Sequence, residues 1–396
     1  MKKIAVIGQG YVGLPLALAV CEAGFNVIGI DSDSNKIMNL LAANSSIEDI
    51  SNSRIAKCLS TKRYLPTSDY SNAIGCSIIL ICVPTPLNSN NSPDLSAVES
   101  AAIEASKLLG ENTLVILEST VEPSTTRDFL TPILEKNSGL SRIQFNVAFS
   151  PERIDPLNKN WNLSNTPKIV AGLTRKSMEL AVDFYSKFID RVIPIESLEV
   201  AETAKLLENS FRLINISFIN ELSIFCNKLG IDINEVIEAA STKPYGFMPF
   251  YPSIGVGGHC IPVDPIYLAT KAKEIGSPTE FIDLASRVNH EMPGYFVGRA
   301  EKILGDLKNK RVLVVGVSYK SNVADVRETP VKDLIKGLVD KGANVLWHDD
   351  LVKKWEGSES VALTSDFDLA ILATPHDGVD LSKLENTPIL NTRSSI

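Results

Sequence analysis

Short apolar runs alternate with stretches of helical periodicity along residues 1–195. Runs that are apolar at nearly every position are typical of strands buried on both faces of a sheet. The predicted strands read KIAVIG, NVIGID, SIILICVP, TLVILEST, QFNVAFSP and KIVAG. Strands that alternate with helices predict a parallel sheet flanked by helices.

A different pattern occupies residues 198–229. This segment contains no Gly or Pro, and its apolar residues recur at helical spacing. It predicts one helix longer than the usual range of roughly 8–20 residues. Such a helix often serves as a spine between domains and as a dimer surface. Residues 243–265, which are rich in Gly and Pro, follow without clear periodicity. They predict a long ordered loop, and loops of that length are usually functional.

Strand–helix alternation returns after about residue 296. The predicted strands there read RVLVVGV, ANVLWHD, LAILATP and PILNT. The whole pattern predicts an α/β fold with two Rossmann-like doubly wound domains, joined by a central all-helical domain with a long spine helix. We place the domain boundaries at 1–196, 197–296 and 297–396. The two Rossmann-like halves do not align with each other as sequence repeats.

Composition narrows the function classes. The net charge is −8 over 396 residues, and this acidic balance argues against nucleic-acid binding, which needs a basic face. An anionic ligand stays open, because a helix N-terminus and a few cations suffice for one phosphate group. No run approaches the roughly 18 apolar residues of a membrane span, and the N-terminal apolar run is too short for a signal peptide. We therefore expect no membrane partner, and the six cysteines, read as reduced thiols, predict a cytoplasmic protein.

Residues 8–13, GQGYVG, form a G-x-G-x-x-G motif between a predicted strand and a predicted helix. Gly8 permits the tight turn, Gly10 lets the backbone approach a pyrophosphate, and Gly13 allows close packing of helix and strand. Asp31 ends the next predicted strand, where its carboxylate can accept bonds from both ribose hydroxyls. Because Asp31 would repel a 2′-phosphate, the motif favours NAD over NADP. A glycine-rich turn without a ligand is the alternative.

Two further loops, residues 82–86 (CVPTP) and 118–121 (ESTV), follow predicted strands. Ligands of open α/β sheets bind at such strand ends. Val83 could line the cofactor and Thr120 could offer a hydroxyl to the active site, although spacing alone leaves simple turn punctuation equally open. The full predicted cofactor set comprises Gly8, Gly10, Tyr11, Val12, Gly13, Asp31, Val83, Thr85 and Thr120.

The six cysteines include no C-x-x-C pair and no zinc spacing, so they predict reduced thiols and no metal site. A free cysteine is most often a small buried hydrophobe. That interpretation suits the five in apolar or helical patterns, which are Cys21, Cys58, Cys76, Cys82 and Cys226. It suits Cys260 poorly, because the surrounding loop, GVGGHCIPVDP, is glycine-rich and polar. The glycines would let the backbone fold tightly and bring the thiol into a cleft.

Other residues around Cys260 are candidates for catalysis. His259 could form a dyad with Cys260, but neighbouring side chains rarely face each other. Asp264 could orient a base or a water. Lys205 and Asn209 lie four residues apart on the long predicted helix and therefore share a face. If they face the Cys260 loop, their ammonium and amide could stabilise a developing alkoxide; a merely solvated pair is the alternative.

Several motifs follow one another along nearly the whole chain: GQGYVGLPLA, VPTP, ESTV, SPER, AKLLENS, GVGGHCIPVDP and GVSYKSNVADVRETP. In this order they resemble the UDP-glucose/GDP-mannose dehydrogenases, and their joint match is very specific. GFMPFYP and GGHCIPVDP look most like the branch that acts on UDP-N-acetylhexosamines. The resemblance implies two Rossmann-like domains, a central helical domain that dimerises, a UDP-sugar substrate and a homodimer.

The resemblance also implies a reaction: oxidation of the sugar's C6 alcohol to a carboxylate with two NAD and one water, for bacterial surface polysaccharides. Cys260 matches the nucleophile, which holds the intermediate as a thiohemiacetal and then as a thioester. A cation such as Lys205 would favour the thiolate, since a free cysteine has a pKa near ~8.5. Lys205 and Asn209 match the pair that stabilises the oxyanion.

Three more catalytic roles carry over by the same resemblance. Asp264 matches the carboxylate that helps to place water, Glu152 the general base on the thioester, and Thr120 a threonine near water and cofactor. The substrate-binding set that it implies comprises Glu152, Arg153, Lys205, Asn209, Phe250, Tyr251, Gly257, Lys320 and Arg393. For the two cations of the last domain, an exposed surface position is the alternative.

Departures from the UDP-glucose pattern bear on the substrate. His259 stands where UDP-glucose enzymes usually carry serine, Pro156 stands where they carry a second glutamate, and the segment before the cysteine loop lacks their arginine. We therefore expect a UDP-N-acetylhexosamine, with UDP-glucose as the alternative. A two-electron dehydrogenase of the 3-hydroxyacid type would give Cys260 no role, and a non-catalytic sensor would bind NAD or a sugar nucleotide without turnover.

Overall fold

The computed structural model describes residues 2–47, 49–155, 158 and 160–396. The predicted departure at Pro156 lies outside these residues. Two compact units divide the chain, Met1–Leu207 and Glu208–Ile396. Among the described residues, no helix is both long and apolar enough to span a bilayer.

The first unit is built on one eight-stranded sheet. Its strands, in chain order, are β1 Lys3–Ile7, β2 Asn26–Ile30, β3 Tyr64–Thr67, β4 Ile78–Ile81, β5 Leu114–Leu117, β6 Asn146–Phe149, β7 Lys168–Gly172 and β8 Val192–Ile195. They lie side by side in the order β3-β2-β1-β4-β5-β6-β7-β8. Strand order reverses direction beside β1, which is the arrangement of a doubly wound dinucleotide-binding sheet.

Helices cover both faces of this sheet. They are α1 Gly13–Glu22, α2 Ser34–Leu41, α3 Asn52–Ser60, α4 Ser96–Ser106, α5 Thr131–Ser138 and α6 Arg175–Tyr185, with a 3-10 turn at Tyr70–Ala73 and a π-helical turn at Thr126–Leu130. Ile4 and Val6 of β1 belong to one apolar cluster, whereas Ala5 and Ile7 belong to a second one on the other face. Burial on both faces explains why the strands read as continuous apolar runs.

The prediction of a parallel sheet is wrong at one pair. β6 and β7 pair antiparallel, whereas every other neighbouring pair in the sheet is parallel. No helix is present in the described part of the connection between these two strands. A parallel pair needs a crossover, usually a helix, and without one the chain returns in the opposite direction.

The second unit contains helices and a smaller sheet. α7 Leu198–Leu229 runs into it from the first unit, and α8 Ile233–Ser241, α9 Asp264–Glu274, α10 Glu280–Leu304 and α11 Val331–Asp340 follow. The strands are β9 Arg311–Val315, β10 Asn344–His348, β11 Lys354–Trp355, β12 Ser358–Glu359, β13 Leu369–Leu372 and β14 Ile389–Asn391, with a 3-10 turn at Leu381–Leu384. Four of them form a parallel sheet in the order β10-β9-β13-β14, and β11 and β12 form a hairpin.

Every strand predicted from the apolar runs is present, and α7 has the predicted bounds. β3 and β8 were not predicted. Both lie at the edges of their sheet and contain a proline, Pro66 and Pro194. Proline cannot donate to a strand ladder, so it is found at edges and weakens the strand signal. The predicted loop to Pro265 ends earlier, because α9 starts at Asp264 with Pro265 in its first turn, where proline is tolerated.

Candidate functional site

The glycine loop between β1 and α1 has the geometry that its sequence predicted. Gly8 has a φ of +91°, and a Cβ there would lie 2.5 Å from the carbonyl oxygen of Cys82. A Cβ on Gly13 would lie 1.8 Å from the carbonyl oxygen of Gly8. By contrast, no atom lies within 4 Å of the Cβ position of Gly10. The loop is therefore tightly closed on the strand side and open at Gly10, at the N-terminus of α1, where a diphosphate would bind.

Asp31 lies directly after β2 and is buried beside this loop. Its carboxylate accepts hydrogen bonds from the backbone N–H of Gln9 at 2.8 Å and of Asp33 at 3.0 Å. The Nζ of Lys36, on α2, forms an ion pair with it at 2.7 Å. Lys36 could not be predicted from the sequence, because no part of the glycine motif marks it. Asp31 is thereby fixed at the strand end where an adenosine ribose would bind.

The two other predicted cofactor loops meet at the same edge of the sheet, since β4 and β5 are neighbours. The Ser119 hydroxyl donates to the carbonyl of Val83 at 2.7 Å and so joins the loops. Val83, Thr85 and Thr120 are all half-buried around this contact. Tyr11 and Val12 are also half-buried, against the core cluster beneath α1. The residues thus fit NAD: an open diphosphate cradle after β1, an acidic ribose acceptor after the neighbouring β2, and half-buried side chains after β4 and β5 on the other side of β1.

A buried charged cluster lies beneath the loops that carry Thr120 and Glu152. Lys168 of β7 forms an ion pair with Glu118 at 2.7 Å, and the hydroxyl of Tyr185 donates to the same carboxylate. Lys168 also donates to the carbonyl of Pro151 at 3.3 Å. Burial lowers the pKa of Lys168, but Glu118 and Glu152 outweigh burial and raise it. Lys168 therefore stays charged, and its ammonium connects Glu118 with the carbonyl of Pro151, one residue from each loop.

Glu152 itself folds back onto its own loop. Its Oε1 accepts hydrogen bonds from the backbone N–H of Arg153 and of Ile154, both at 2.6 Å. The guanidinium of Arg153 donates to the carbonyl of Pro167 at 3.0 Å. Both predicted side chains are half-buried, and these bonds hold residues 152–154 at the start of the loop after β6.

Glu202 of α7 holds the segment that follows Thr120. Its carboxylate accepts hydrogen bonds from the backbone N–H of Ser124 at 2.7 Å and of Thr126 at 2.9 Å. Burial raises the pKa of Glu202 to about 7, while the two N–H donors oppose this shift. Glu202 could not be predicted from the sequence, because its partners lie about 76 residues earlier in the chain.

In the second unit, the Cys260 loop packs against residues 319–330. A Cβ on Gly257 would lie 2.5 Å from the carbonyl oxygen of Glu328, and a Cβ on Gly258 would lie 2.9 Å from the ring of Tyr319. Glycine is therefore needed at both positions for the loop to pack this closely. The side chain of Cys260 is exposed, whereas the other five cysteines are buried.

Asp264 and Asn209 are joined. The amide of Asn209 donates to the Asp264 carboxylate at 2.5 Å, and both side chains are buried. The backbone N–H of Asp264 donates to the carbonyl of Cys260 at 2.8 Å. Lys205, also buried, lies one turn before Asn209 on α7. The structure thus joins Asn209, Asp264 and Cys260 through two consecutive hydrogen bonds.

Two asparagines that could not be predicted from the sequence fix the segment that precedes Cys260. The Oδ1 of Asn289, on α10, accepts from the backbone N–H of Val256 at 2.7 Å, and its amide donates to the carbonyl of the same residue at 3.3 Å. The Oδ1 of Asn220, on α7, accepts from the backbone N–H of Ser253 at 2.8 Å. An amide that matches both backbone groups of one residue fixes a loop that has no strand partner.

Phe250, His259 and Tyr251 have different surroundings. Phe250 packs edge-to-face on Phe211, with 5.7 Å between ring centroids, and joins a small apolar cluster between α7 and α8. Tyr251 is exposed. Burial lowers the pKa of His259, the nearby Arg327 lowers it further, and a nearby aspartate opposes both. His259, one residue before Cys260, is therefore a neutral imidazole at neutral pH.

The predicted cations of the last domain lie close to one loop. Lys320 follows β9 and is half-buried. The guanidinium of Arg393, after β14, donates to the hydroxyl of Ser321 at 2.7 Å. Arg393 is therefore bonded to the residue that follows Lys320, although the two cations are distant in the chain.

Comparison with known proteins assigns all three parts of the chain to one family. Residues 2–189 match the NAD binding domain of the UDP-glucose/GDP-mannose dehydrogenase family, residues 199–291 its central domain, and residues 313–394 its UDP binding domain. A UDP-N-acetyl-D-glucosamine 6-dehydrogenase from Pseudomonas aeruginosa is 35% identical over 384 residues, which are 95% of this chain and 88% of that protein.

Solved structures agree with this assignment. A UDP-D-ManNAc dehydrogenase from Pyrococcus horikoshii superposes with a TM-score of 0.92 at 30% identity, over 100% of this chain and 96% of the other. A UDP-glucose dehydrogenase from Pyrobaculum islandicum superposes with a TM-score of 0.90 at 26% identity, over 99% and 94%. The chain belongs to the UDP-glucose/GDP-mannose dehydrogenase family and is an NAD-dependent oxidoreductase.

Proposed function

We propose that the chain oxidises the C6 alcohol of a UDP-N-acetylhexosamine to the carboxylate, for surface-polysaccharide synthesis. The balanced reaction converts one alcohol, two NAD⁺ and one water into one carboxylate, two NADH and three protons. The observation that carries the proposal is the exposed Cys260, bonded through its carbonyl to Asp264 and onward to Asn209. The relatives from Pseudomonas aeruginosa and Pyrococcus horikoshii, named for N-acetylhexosamine substrates, support the choice of sugar.

The residues of the chain divide the chemistry between them. When bound, NAD accepts a hydride from C6 in each of the two oxidations. Cys260 adds its thiolate to the aldehyde carbon, so that the intermediate stays covalently held and ends as a thioester. We assign the stabilisation of the developing oxyanion to Lys205 and Asn209. Water then attacks the thioester and releases the thiolate.

Glu152 and Asp264 are proposed to act on that water. Glu152 would accept the proton, and Asp264 would place the water while Asn209 holds its carboxylate at 2.5 Å. Thr120, at the carboxyl end of β5, would contact water and cofactor. In the UDP binding domain, Lys320 and Arg393 would bind the diphosphate, since both side chains supply N–H donors and positive charge.

A substrate panel tests the choice of sugar. NADH release would be measured with UDP-GlcNAc, UDP-ManNAc, UDP-GalNAc, UDP-glucose and GDP-mannose under identical conditions. We expect the highest kcat/KM with one of the N-acetylated UDP-sugars. The highest value with UDP-glucose, the substrate named for the Pyrobaculum islandicum protein, would contradict the proposal.

Replacing Asp31 is expected to change cofactor selectivity. Asp31→Ala removes the ribose acceptor and releases Lys36, whose ammonium then favours a 2′-phosphate. Losing a hydrogen bond to a charged group, at about 1.5–3 kcal/mol, lowers kcat/KM for NAD by about 10- to 100-fold. Asp33→Ala is the matched control, because Asp33 caps α2 two residues away. An unchanged ratio of kcat/KM for NAD and NADP in Asp31→Ala would refute the role of Asp31.

We propose that the protein forms a homodimer through α7. Phe211, Phe218 and Phe225 recur every seven residues on this helix and are 45%, 61% and 54% exposed. Seven residues are close to two helical turns, so the rings form one apolar stripe, and such stripes bury themselves against a partner. Because the three rings are evenly spaced along α7, the stripe can pack against the same stripe of a second chain.

The molar mass in solution tests this interface. Light scattering is expected to give the mass of two chains for the unmodified protein and of one chain for Phe218→Asp/Phe225→Asp. Ile143→Asp, which charges an exposed residue far from α7 in the sequence, should leave the dimer intact. A single-chain mass for the unmodified protein would refute the dimer.

A further inference from the structure

The two Rossmann-like halves share one local geometry that their sequences do not reveal. Gly316 follows β9 as Gly8 follows β1, with a φ of +84° against +91°. A Cβ on Gly316 would lie 2.0 Å from the carbonyl oxygen of Thr374, just after β13. In the first half, the corresponding atom is the carbonyl oxygen of Cys82, after β4. Each glycine thus lies beneath the end of the neighbouring strand.

An aspartate occupies the corresponding place in both halves. Asp349 follows β10 directly, and its Oδ2 accepts from the backbone N–H of Val317 at 2.9 Å. Asp31 accepts in the same way from Gln9, the residue after Gly8. Asp349 is therefore the counterpart of the ribose acceptor, but it lies in the UDP binding domain.

The partner of this aspartate differs between the halves. In the second half, Nε2 of His376 lies 2.8 Å from Oδ1 of Asp349, and both side chains are buried. The backbone N–H of Asn322 donates to Nδ1 of His376 at 2.8 Å. Since an N–H can only donate, Nδ1 is the acceptor, and the proton of the neutral ring lies on Nε2 and is donated to Asp349.

The histidine thus bridges a buried carboxylate and Asn322, the exposed last residue of the half-buried loop 319–322. Asn322 has a φ of +68°, and its side chain exchanges two hydrogen bonds with Asp377, of 2.9 and 2.8 Å. Residues 376 and 377 together therefore hold Asn322 through three bonds. Lys320 and Ser321 immediately precede it, and Ser321 accepts the bond from Arg393. The two cations assigned to the diphosphate consequently depend on the position of one four-residue loop.

We propose that His376 is a positioning residue for UDP-sugar binding: supported by Asp349, it accepts the N–H of Asn322 and fixes the loop 319–322 that carries Lys320 and is bonded to Arg393. The proposal rests on the UDP-sugar substrate proposed above. Asp31 in the first half is placed to bind a ribose. Its counterpart in the second half, Asp349, instead supports His376, a side chain of its own domain.

Two amide substitutions separate the two bonds of the ring. The side-chain amide of asparagine reaches the position of Nδ1, and that of glutamine reaches the position of Nε2. His376→Asn therefore keeps an acceptor for Asn322 and loses the bond to Asp349. His376→Gln keeps a donor for Asp349 and leaves the N–H of Asn322 without its acceptor. If His376 acts in UDP binding, its bond to Asn322 matters most. If it acts only in stability, its buried bond to Asp349 matters more.

Calorimetric titration with UDP is the test, since it needs no turnover. His376→Gln is expected to bind UDP about tenfold more weakly, the effect of losing one hydrogen bond that fixes the loop. His376→Asn should stay within about threefold of the unmodified protein despite a lower melting temperature. In turnover, His376→Gln should raise KM for the UDP-sugar and leave kcat and KM for NAD unchanged. If His376→Gln does not fold, Ser321→Ala serves instead, and it should weaken UDP binding by releasing Arg393.

Unchanged UDP affinity in His376→Gln, or losses in both histidine variants that follow their melting temperatures, would overturn the proposal. Unchanged affinity in Ser321→Ala would overturn it as well. Failure of the unmodified protein to bind UDP would overturn both this inference and the proposed function. UDP binding without sugar oxidation would overturn the proposed function alone, and the titrations of the two histidine variants would still decide this inference.

Discussion

Cys260→Ser is expected to abolish formation of the uronic acid while NAD binding is retained. A serine hydroxyl is ionised far less readily than a thiol at neutral pH, so the covalent step is lost. Removing a nucleophile of this kind lowers kcat by at least about 10³-fold. NAD affinity should not change, because the glycine loop and Asp31 lie in the other compact unit.

Cys226→Ser is the matched control for that experiment. Cys226 is in the same unit but is buried in the small cluster between α7 and α8, so its loss affects stability and not chemistry. Acid production would be followed by chromatography, and NAD binding by calorimetry. Full acid production by Cys260→Ser would refute the covalent mechanism.

Lys168→Met is expected to destabilise the protein by about 3–5 kcal/mol, the usual effect of leaving one partner of a buried ion pair without the other. Lys168 and Glu118 are almost completely buried and 2.7 Å apart. Without the ammonium, the Glu118 carboxylate loses its counter-charge in a site without water access. Denaturant unfolding measures the change.

Two further variants of the first unit complete this experiment: a surface control and a double variant of the buried pair. Arg175 pairs with Glu179 on the surface, with an arginine side chain 87% exposed, so Arg175→Met should change stability by at most about 1 kcal/mol. Adding Glu118→Gln to Lys168→Met removes the unpaired charge and should recover part of the loss. If Lys168→Met is no less stable than Arg175→Met, the buried ion pair of Lys168 and Glu118 does not stabilise the fold as proposed.

The helices and central strands could be predicted from the sequence, whereas the edge strands and one strand pairing could not. Continuous apolar runs predicted the central strands, because burial on both faces leaves a strong local signal. The edge strands with Pro66 and Pro194 were missed, since their pairing depends on a neighbour and not on their own pattern. The antiparallel pairing of β6 and β7 likewise depends on the path of the connection between them.

The same distinction holds for the site. Gly8, Gly13 and the glycines before Cys260 could be predicted, because close approach demands glycine whatever the partner is. Asn289 and Lys168 could not, since each acts through a partner 33 or 50 residues away, and nothing local distinguishes them from ordinary polar residues. The shared geometry of Gly8 and Gly316 was also invisible, because it resides in backbone contacts.

The number of NADH molecules formed per sugar tests the central claim most directly. A limiting amount of the preferred UDP-sugar would be converted to completion with excess NAD, and NADH and uronic acid would be counted in the same sample. Oxidation of an alcohol to a carboxylate through a Cys260 thioester predicts two NADH and one acid for every sugar consumed. One NADH per sugar, with an aldehyde or ketone as the product, would contradict it.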